Sequence, residues 1–130
     1  YKVIAAGLVA GLRSLGIPAD MVSRPGHRPG PAKNRQHEPA CFSSPSWYEI
    51  VARGRKIVGS AQRRVNGAFL QHGSILIGYD PDMETEVICG NGSRDAVTCI
   101  KSELGREVKL EDIKSAIRSG FASSLDIIFE

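Results

Sequence analysis

The stretch GRKIVGSAQRR, residues 54–64, places an amine, Lys56, among β-forming residues, and Gly59, Ser60 and Ala61 follow at once. Such a lysine can stabilise an oxyanion, or act as a base where burial disfavours its charged form. Strict strand alternation puts Lys56 on one face with Val58, and Arg55 with Ile57 on the other. From that pattern alone, a lysine on a solvated strand face is the simpler reading. The small residues favour the other one, because glycine inside a strand weakens it unless backbone or ligand must approach closely.

Cys41 is a second candidate. It ends a proline-rich run and precedes the turn-forming FSSPS. A free cysteine is commonly a small packed hydrophobe, but beside a cation its thiolate is favoured and it becomes a nucleophile. Cys89, next to GNG, and Cys99, on an apolar helix flank, read as structural. His72 in LQHGS reads as a packed or hydrogen-bonded strand histidine, with Gly73 beside it. Gly90-Asn91-Gly92 is a bare turn and a weak candidate for a phosphate loop. The three cysteines form no CxxC pair, and the three histidines complete no ligand spacing, so neither a disulfide framework nor a metal site is expected.

The elements that must position these groups follow from periodicity. Ile4, Leu8, Leu12 and Leu15 recur at helical spacing, with Gly16 as the C-terminal stop. A short strand is expected over residues 20–23. Residues 23–39 hold four prolines, two glycines and four cations, and almost nothing apolar. Such a run cannot offset its ordering entropy, so it is expected to be a disordered surface insertion. It has no aromatic side chain to stack on bases, which argues against a nucleic-acid arm. Strands are expected over residues 47–51 and 55–58, with a turn at Arg53-Gly54. Asn66-Gly67 is the strongest hairpin signal, joining strands 60–65 and 68–77. Ala96, Val97, Ile100 and Leu104 mark a helix with Ser93 as N-cap and Gly105 as stop. Leu110, Ile113, Ala116, Ile117, Phe121 and Leu125 mark the last helix, with Glu111 and Asp112 in its first turn.

The expected class is therefore α+β, a mainly antiparallel sheet flanked by helices. With 130 residues, 42% hydrophobic and 24% charged, the chain is one small domain at most. A net charge of +3 is too mild to argue for nucleic acid. No apolar run approaches the roughly 18 residues of a membrane span. Neither a P-loop nor a dinucleotide fingerprint is present. The cysteine usage suits a reducing cytoplasm.

The block CFSSPSWYEIVARGRKIVGSAQRRVNGAFLQHGSIL, residues 41–76, closely resembles the central block of the lipoate–protein ligase and octanoyltransferase family, and weaker similarity reaches both ends outside residues 23–39. The resemblance implies a fold like the biotin/lipoate protein ligase catalytic domain. It implies that Lys56 lies at the acyl carbonyl, and that Gly59, Ser60, Ala61, His72 and Gly73 line the acyl group's path. It also implies that Cys41, in its Cys-Phe pair, is the nucleophile of the cysteine-dependent branch. That branch moves an octanoyl group from acyl carrier protein through a cysteine thioester to a lysine of a lipoyl-domain protein. Acceptors include the glycine-cleavage H protein and dehydrogenase E2 subunits, and no cofactor is required. The alternative branch is an ATP- and Mg-dependent lipoate–protein ligase, in which Cys41 is incidental. The family's upstream RR-x-x-GG motif is absent from these residues. Residues 1–130 are accordingly expected to be the C-terminal part of such a domain, or an inactive or accessory piece that only binds a partner protein.

Overall fold

A computed structural model describes residues 2–22, 49–80 and 96–129. Helix α1 spans Lys2–Ser14, and the strands are β1 (Ala19–Met21), β2 (Ile50–Ala52), β3 (Arg55–Val65) and β4 (Ala68–Ile75). A short helix α2 (Ile100–Leu104) and a long helix α3 (Leu110–Leu125) complete the described elements. The strands form one antiparallel sheet in the order β1-β2-β3-β4. The α+β architecture expected from periodicity is therefore the observed one. The residues of the proline-rich run, Cys41, Cys89, the Gly90–Gly92 turn and Ser93 lie outside the described residues.

α1 ends where its glycine dictates. Gly16 has φ +93° and Gly16 N–H donates to the Arg13 carbonyl at 2.9 Å, while Ile17 N–H donates to Leu12 at 3.1 Å. This Schellman arrangement satisfies carbonyls that the helix end would otherwise leave open. It also turns the fully buried Ile17 back under the helix, beside Leu12, into the core with Ile50, Ile57, Val58, Ile100 and Ile113.

α3 lies across α1 at backbone contact. A Cβ at Gly120 would collide with Gly11 N and Gly7 O, and one at Gly11 would lie 2.8 Å from Ile117 Cα. Small residues at both helices' contact points thus set the interaxial distance.

Both hairpin loops are two residues long with positive φ throughout: Arg53 (50°) and Gly54 (77°), then Asn66 (49°) and Gly67 (79°). This is the turn geometry whose twist suits the flanking strands. The second loop was legible in its Asn-Gly pair, and the first in Arg-Gly.

Boundaries differ from expectation at β1, which spans Ala19–Met21 and not 20–23, at β2, which runs on to Ala52, and at three further places. The separate strands expected over 55–58 and 60–65 are one continuous strand, β3, which runs through Gly59 without a break. The strand expected over 68–77 ends at Ile75, after which Leu76 N–H still donates to the Ile57 carbonyl at 3.0 Å. The helix expected around Ala96 and Val97 begins only at Ile100, with Cys99 as its N-cap. Residues 96–98 cannot be helical because their backbone groups are spent on β3, as described next.

Candidate functional site

Lys56 lies near the start of β3, where the strand is held on both edges. On one edge it pairs with Val51 of β2. On the other, its N–H donates to the Ala96 carbonyl at 2.7 Å and its carbonyl accepts from Thr98 N–H at 2.9 Å, a short parallel bridge about Val97. The β2–β3 register shifts here: Val51 faces Lys56 and Ile50 faces Val58, which leaves Ile57 as the extra residue. A bulge of this kind bends the strand and re-aims its side chains.

The side chain of Lys56 is 2% exposed, and its Nζ donates to Oε1 of Glu49 at 2.8 Å, with the Glu49 side chain 6% exposed. The solvated-face reading of Lys56 is thereby overturned. Its physical cause is tertiary: the side chain is packed into the interior, where Glu49 brings it an opposite charge. Buried charges persist where they are paired and hydrogen-bonded. Glu49 was not singled out from the sequence, although a signal existed. With the Arg53-Gly54 turn in register, Val51 stands opposite Lys56, and Glu49, two residues before Val51, is its diagonal neighbour on the same face.

A second buried carboxylate supports this one. The side chain of Glu103 on α2 is fully buried, and its Oε1 accepts from Thr98 Oγ1 at 2.6 Å and from the Arg55 guanidinium at 2.7 Å. Arg53 Nε approaches Oε2 at 3.7 Å. The same Thr98 that bonds the Lys56 carbonyl is thus tied to α2 and to the β2–β3 turn. No periodicity argument reaches Glu103, because its partners lie on three separate segments.

The small-residue run meets the second motif across the hairpin. Gly59 pairs with Ser74, Ser60 with Gly73 and Ala61 with His72. GSA and HGS, read separately from the sequence, are therefore the two sides of one ladder, a short way along β3 from Lys56. A Cβ at Gly73 would lie 2.6 Å from the Gly59 carbonyl oxygen and 3.0 Å from Ser60 Cβ. Close packing of β4 on β3 accounts for the glycine at 73. Gly59 and Ser60 are half-buried, while Ala61 and Gly73 are exposed. His72 is exposed as well, so of the two readings, packed or hydrogen-bonded, the packed one does not hold. Its half of the hairpin projects beyond the core, and Val65, Phe69 and Leu70 there are exposed too.

Cys99 is buried, as its structural reading required, and it also caps a helix locally. Its Sγ accepts from Ser102 N–H at 3.4 Å at the start of α2. The first backbone N–H groups of α2, from Ile100 and Lys101, donate to the carbonyls of Leu76 and Ile77. Near the C-terminal end of α2, Lys101 and Glu107 form an exposed pair. Its hydrogen bond raises the proton affinity of Lys101 and lowers that of Glu107. Among the described residues no group of three or more His, Cys, Asp or Glu side chains could hold a metal ion, and no helix is long and apolar enough to cross a membrane.

Residues 1–122 match the family model described as the lipoyl protein ligase A/B catalytic domain. The octanoyltransferase LipM of Brevibacillus brevis is 36% identical over 137 residues, covering 98% of this chain and 50% of the relative. That of Kyrpidia tusciae is 38% identical over 135 residues, covering 96% and 49%. The chain thus spans about half the length of the curated relatives it matches. Among solved structures, a lipoate-protein ligase A bound with ATP superposes with TM-score 0.69 at 27% identity, covering 98% of this chain and 46% of that one. A T. acidophilum protein with bound lipoic acid gives TM-score 0.66 at 27% identity, covering 98% and 45%.

Proposed function

The chain belongs to the lipoyl protein ligase A/B catalytic domain family, a family of enzymes, and from that premise we propose that the complete gene product is an octanoyltransferase of protein lipoylation. The observation that carries this reading is the buried Lys56 on β3, in a chain of which 96–98% aligns with about half of relatives named octanoyltransferase. Residues 1–130 are then part of the catalytic domain, with residues 23–39 an insertion in it.

In this mechanism the Cys41 thiolate attacks the carbonyl of an octanoyl thioester on acyl carrier protein. The C–S bond to the carrier breaks, the carrier thiol leaves with a proton, and the acyl group stays on Sγ of Cys41. An amine from a lysine of a lipoyl domain then attacks that thioester. The amide forms, the amine loses a proton, and the Cys41 thiol is regenerated. Thioester exchange is near balance and amide formation from a thioester runs downhill, so neither ATP nor another cofactor is needed. Lys56 supplies positive charge that favours the thiolate and assists the amine's deprotonation. The paired Gly59–Ala61 and Gly73 stretch offers the octanoyl chain a surface of small side chains. The glycine-cleavage H protein and dehydrogenase E2 subunits are acceptors of the fitting type, in the cytoplasm.

The test is mass spectrometry of the complete gene product incubated with octanoylated acyl carrier protein without ATP. One octanoyl group is expected on Cys41, and Cys41→Ser should abolish it, since a serine hydroxyl is hardly ionised near neutral pH. Acylation of Cys89 or Cys99 would refute the assignment.

A second reading is favoured by the superposition on a lipoate-protein ligase A bound with ATP. Here lipoate is activated to an acyl-adenylate, Lys56 contacts the adenylate, and ATP with Mg is a co-substrate. It predicts activity that depends wholly on ATP and is nearly insensitive to Cys41→Ser.

A further inference from the structure

We propose that Glu49 is a positioning residue for acyl transfer, acting through Lys56, so that the buried pair rather than the lysine alone is the functional unit. The proposal rests on the role of Lys56 given above. Its basis is the placement of two flexible side chains on two anchored pieces of backbone. Glu49 precedes β2, and its carbonyl accepts from Val22 N–H at 2.9 Å, so the chain leaving β1 fixes its position. Lys56 is anchored on both edges of β3, through Val51 and through Ala96 and Thr98. Between these anchors Nζ meets Oε1 at 2.8 Å, with 2% and 6% of the side chains exposed.

Stability does not explain the pair. A hydrophobic pair of similar volume is often as stable as a buried ion pair or more so, whereas a lysine used in chemistry needs its amine at one place in a dry site. Glu49 is also the acid at hand: residues 50–79 contain four arginines and Lys56 but no aspartate or glutamate. In that basic stretch Glu49 orients Nζ and balances its charge.

Glu49→Gln keeps the acceptor and the shape but removes the charge, and Glu49→Asp keeps the charge but withdraws it by one methylene. Rates are measured on the complete gene product with octanoylated acyl carrier protein and an isolated lipoyl domain, below the melting midpoint of every variant. Glu49→Gln should lower kcat about a hundredfold, the scale of a misplacement near 1 Å, with KM nearly unchanged. Glu49→Asp should fall between it and the parent. In a Lys56→Met background, Glu49→Gln should add nothing, because a residue acting through another shows full coupling. A severe Lys56→Met with a silent Glu49→Gln would overturn the role of Glu49. So would equal Glu49→Gln losses with and without the lysine, or parental kcat in Glu49→Asp should Glu49→Gln fail to fold. A silent Lys56→Met would remove the role of Lys56, and this proposal with it, which is a separate and recognisable outcome.

Discussion

At the scale of single residues, Lys56 and Glu49 are bound together energetically as well as geometrically. Truncating one partner of a buried pair removes a counter-charge from the other, which costs about 3–5 kcal/mol. We expect Lys56→Ala to lower the unfolding free energy by about that amount in urea titrations. The double variant Glu49→Gln/Lys56→Met should recover most of the loss, because neither side chain then carries a charge into the interior. Chemistry gives a second residue-scale expectation. Lys56→Arg keeps the positive charge, but a guanidinium does not deprotonate in proteins. Under the transferase reading it should still permit acylation of Cys41 yet stall transfer, so acyl-enzyme should accumulate in a single-turnover assay. A variant that turned over at the parental rate would show that proton removal from the amine does not involve residue 56.

At the scale of elements, the α1–α3 crossing is the most demanding contact. Gly120 meets the backbone of Gly7 and Gly11, and backbone cannot swing aside as a flexible side chain can. Gly120→Ala should therefore destabilise by about 1–3 kcal/mol through overpacking, despite alanine's better helix propensity. The matching measurement is the melting temperature, which should drop rather than rise. For residues 23–39 the composition leads to the opposite expectation. They join β1 to the region before β2, they carry no apolar periodicity, and loop-closure entropy grows slowly with length. Replacing them with a short Gly/Ser linker should leave the melting temperature nearly unchanged. A large drop would show that the segment is packed.

At the scale of the whole molecule, the outer hairpin is exposed and the chain spans about half the length of its matched relatives. Val65, Phe69 and Leu70 are 52%, 58% and 66% exposed, and the matched octanoyltransferases are about twice as long. We expect the isolated 130-residue chain to show no octanoyl transfer and to bind a hydrophobic dye. Under the transferase reading, transfer should be present, and dye binding lower, in a chain of the relatives' full length. Robust turnover by the isolated chain would require the whole acyl pocket to lie within these residues.

Local rules were enough for much of this protein. The Asn66-Gly67 and Arg53-Gly54 turns, the Gly16 stop and the last helix were legible because each rests on the φ preference of a residue or on a periodicity within one segment. The GRKIVGSAQRR motif marked Lys56 by the small residues that follow it and carried the family resemblance. What the sequence could not decide was the environment of that lysine. Alternation along one strand says which face a side chain takes, not whether another segment covers that face. Residues 96–98 looked helical by spacing, but their N–H and C=O groups found partners on Lys56, and a backbone group can satisfy only one ladder. Glu49 and Glu103 reached the interior for the same reason. Their counter-charges come from residues 7 and 48 positions away, brought within hydrogen-bonding distance only when the sheet forms and α2 docks against its turn.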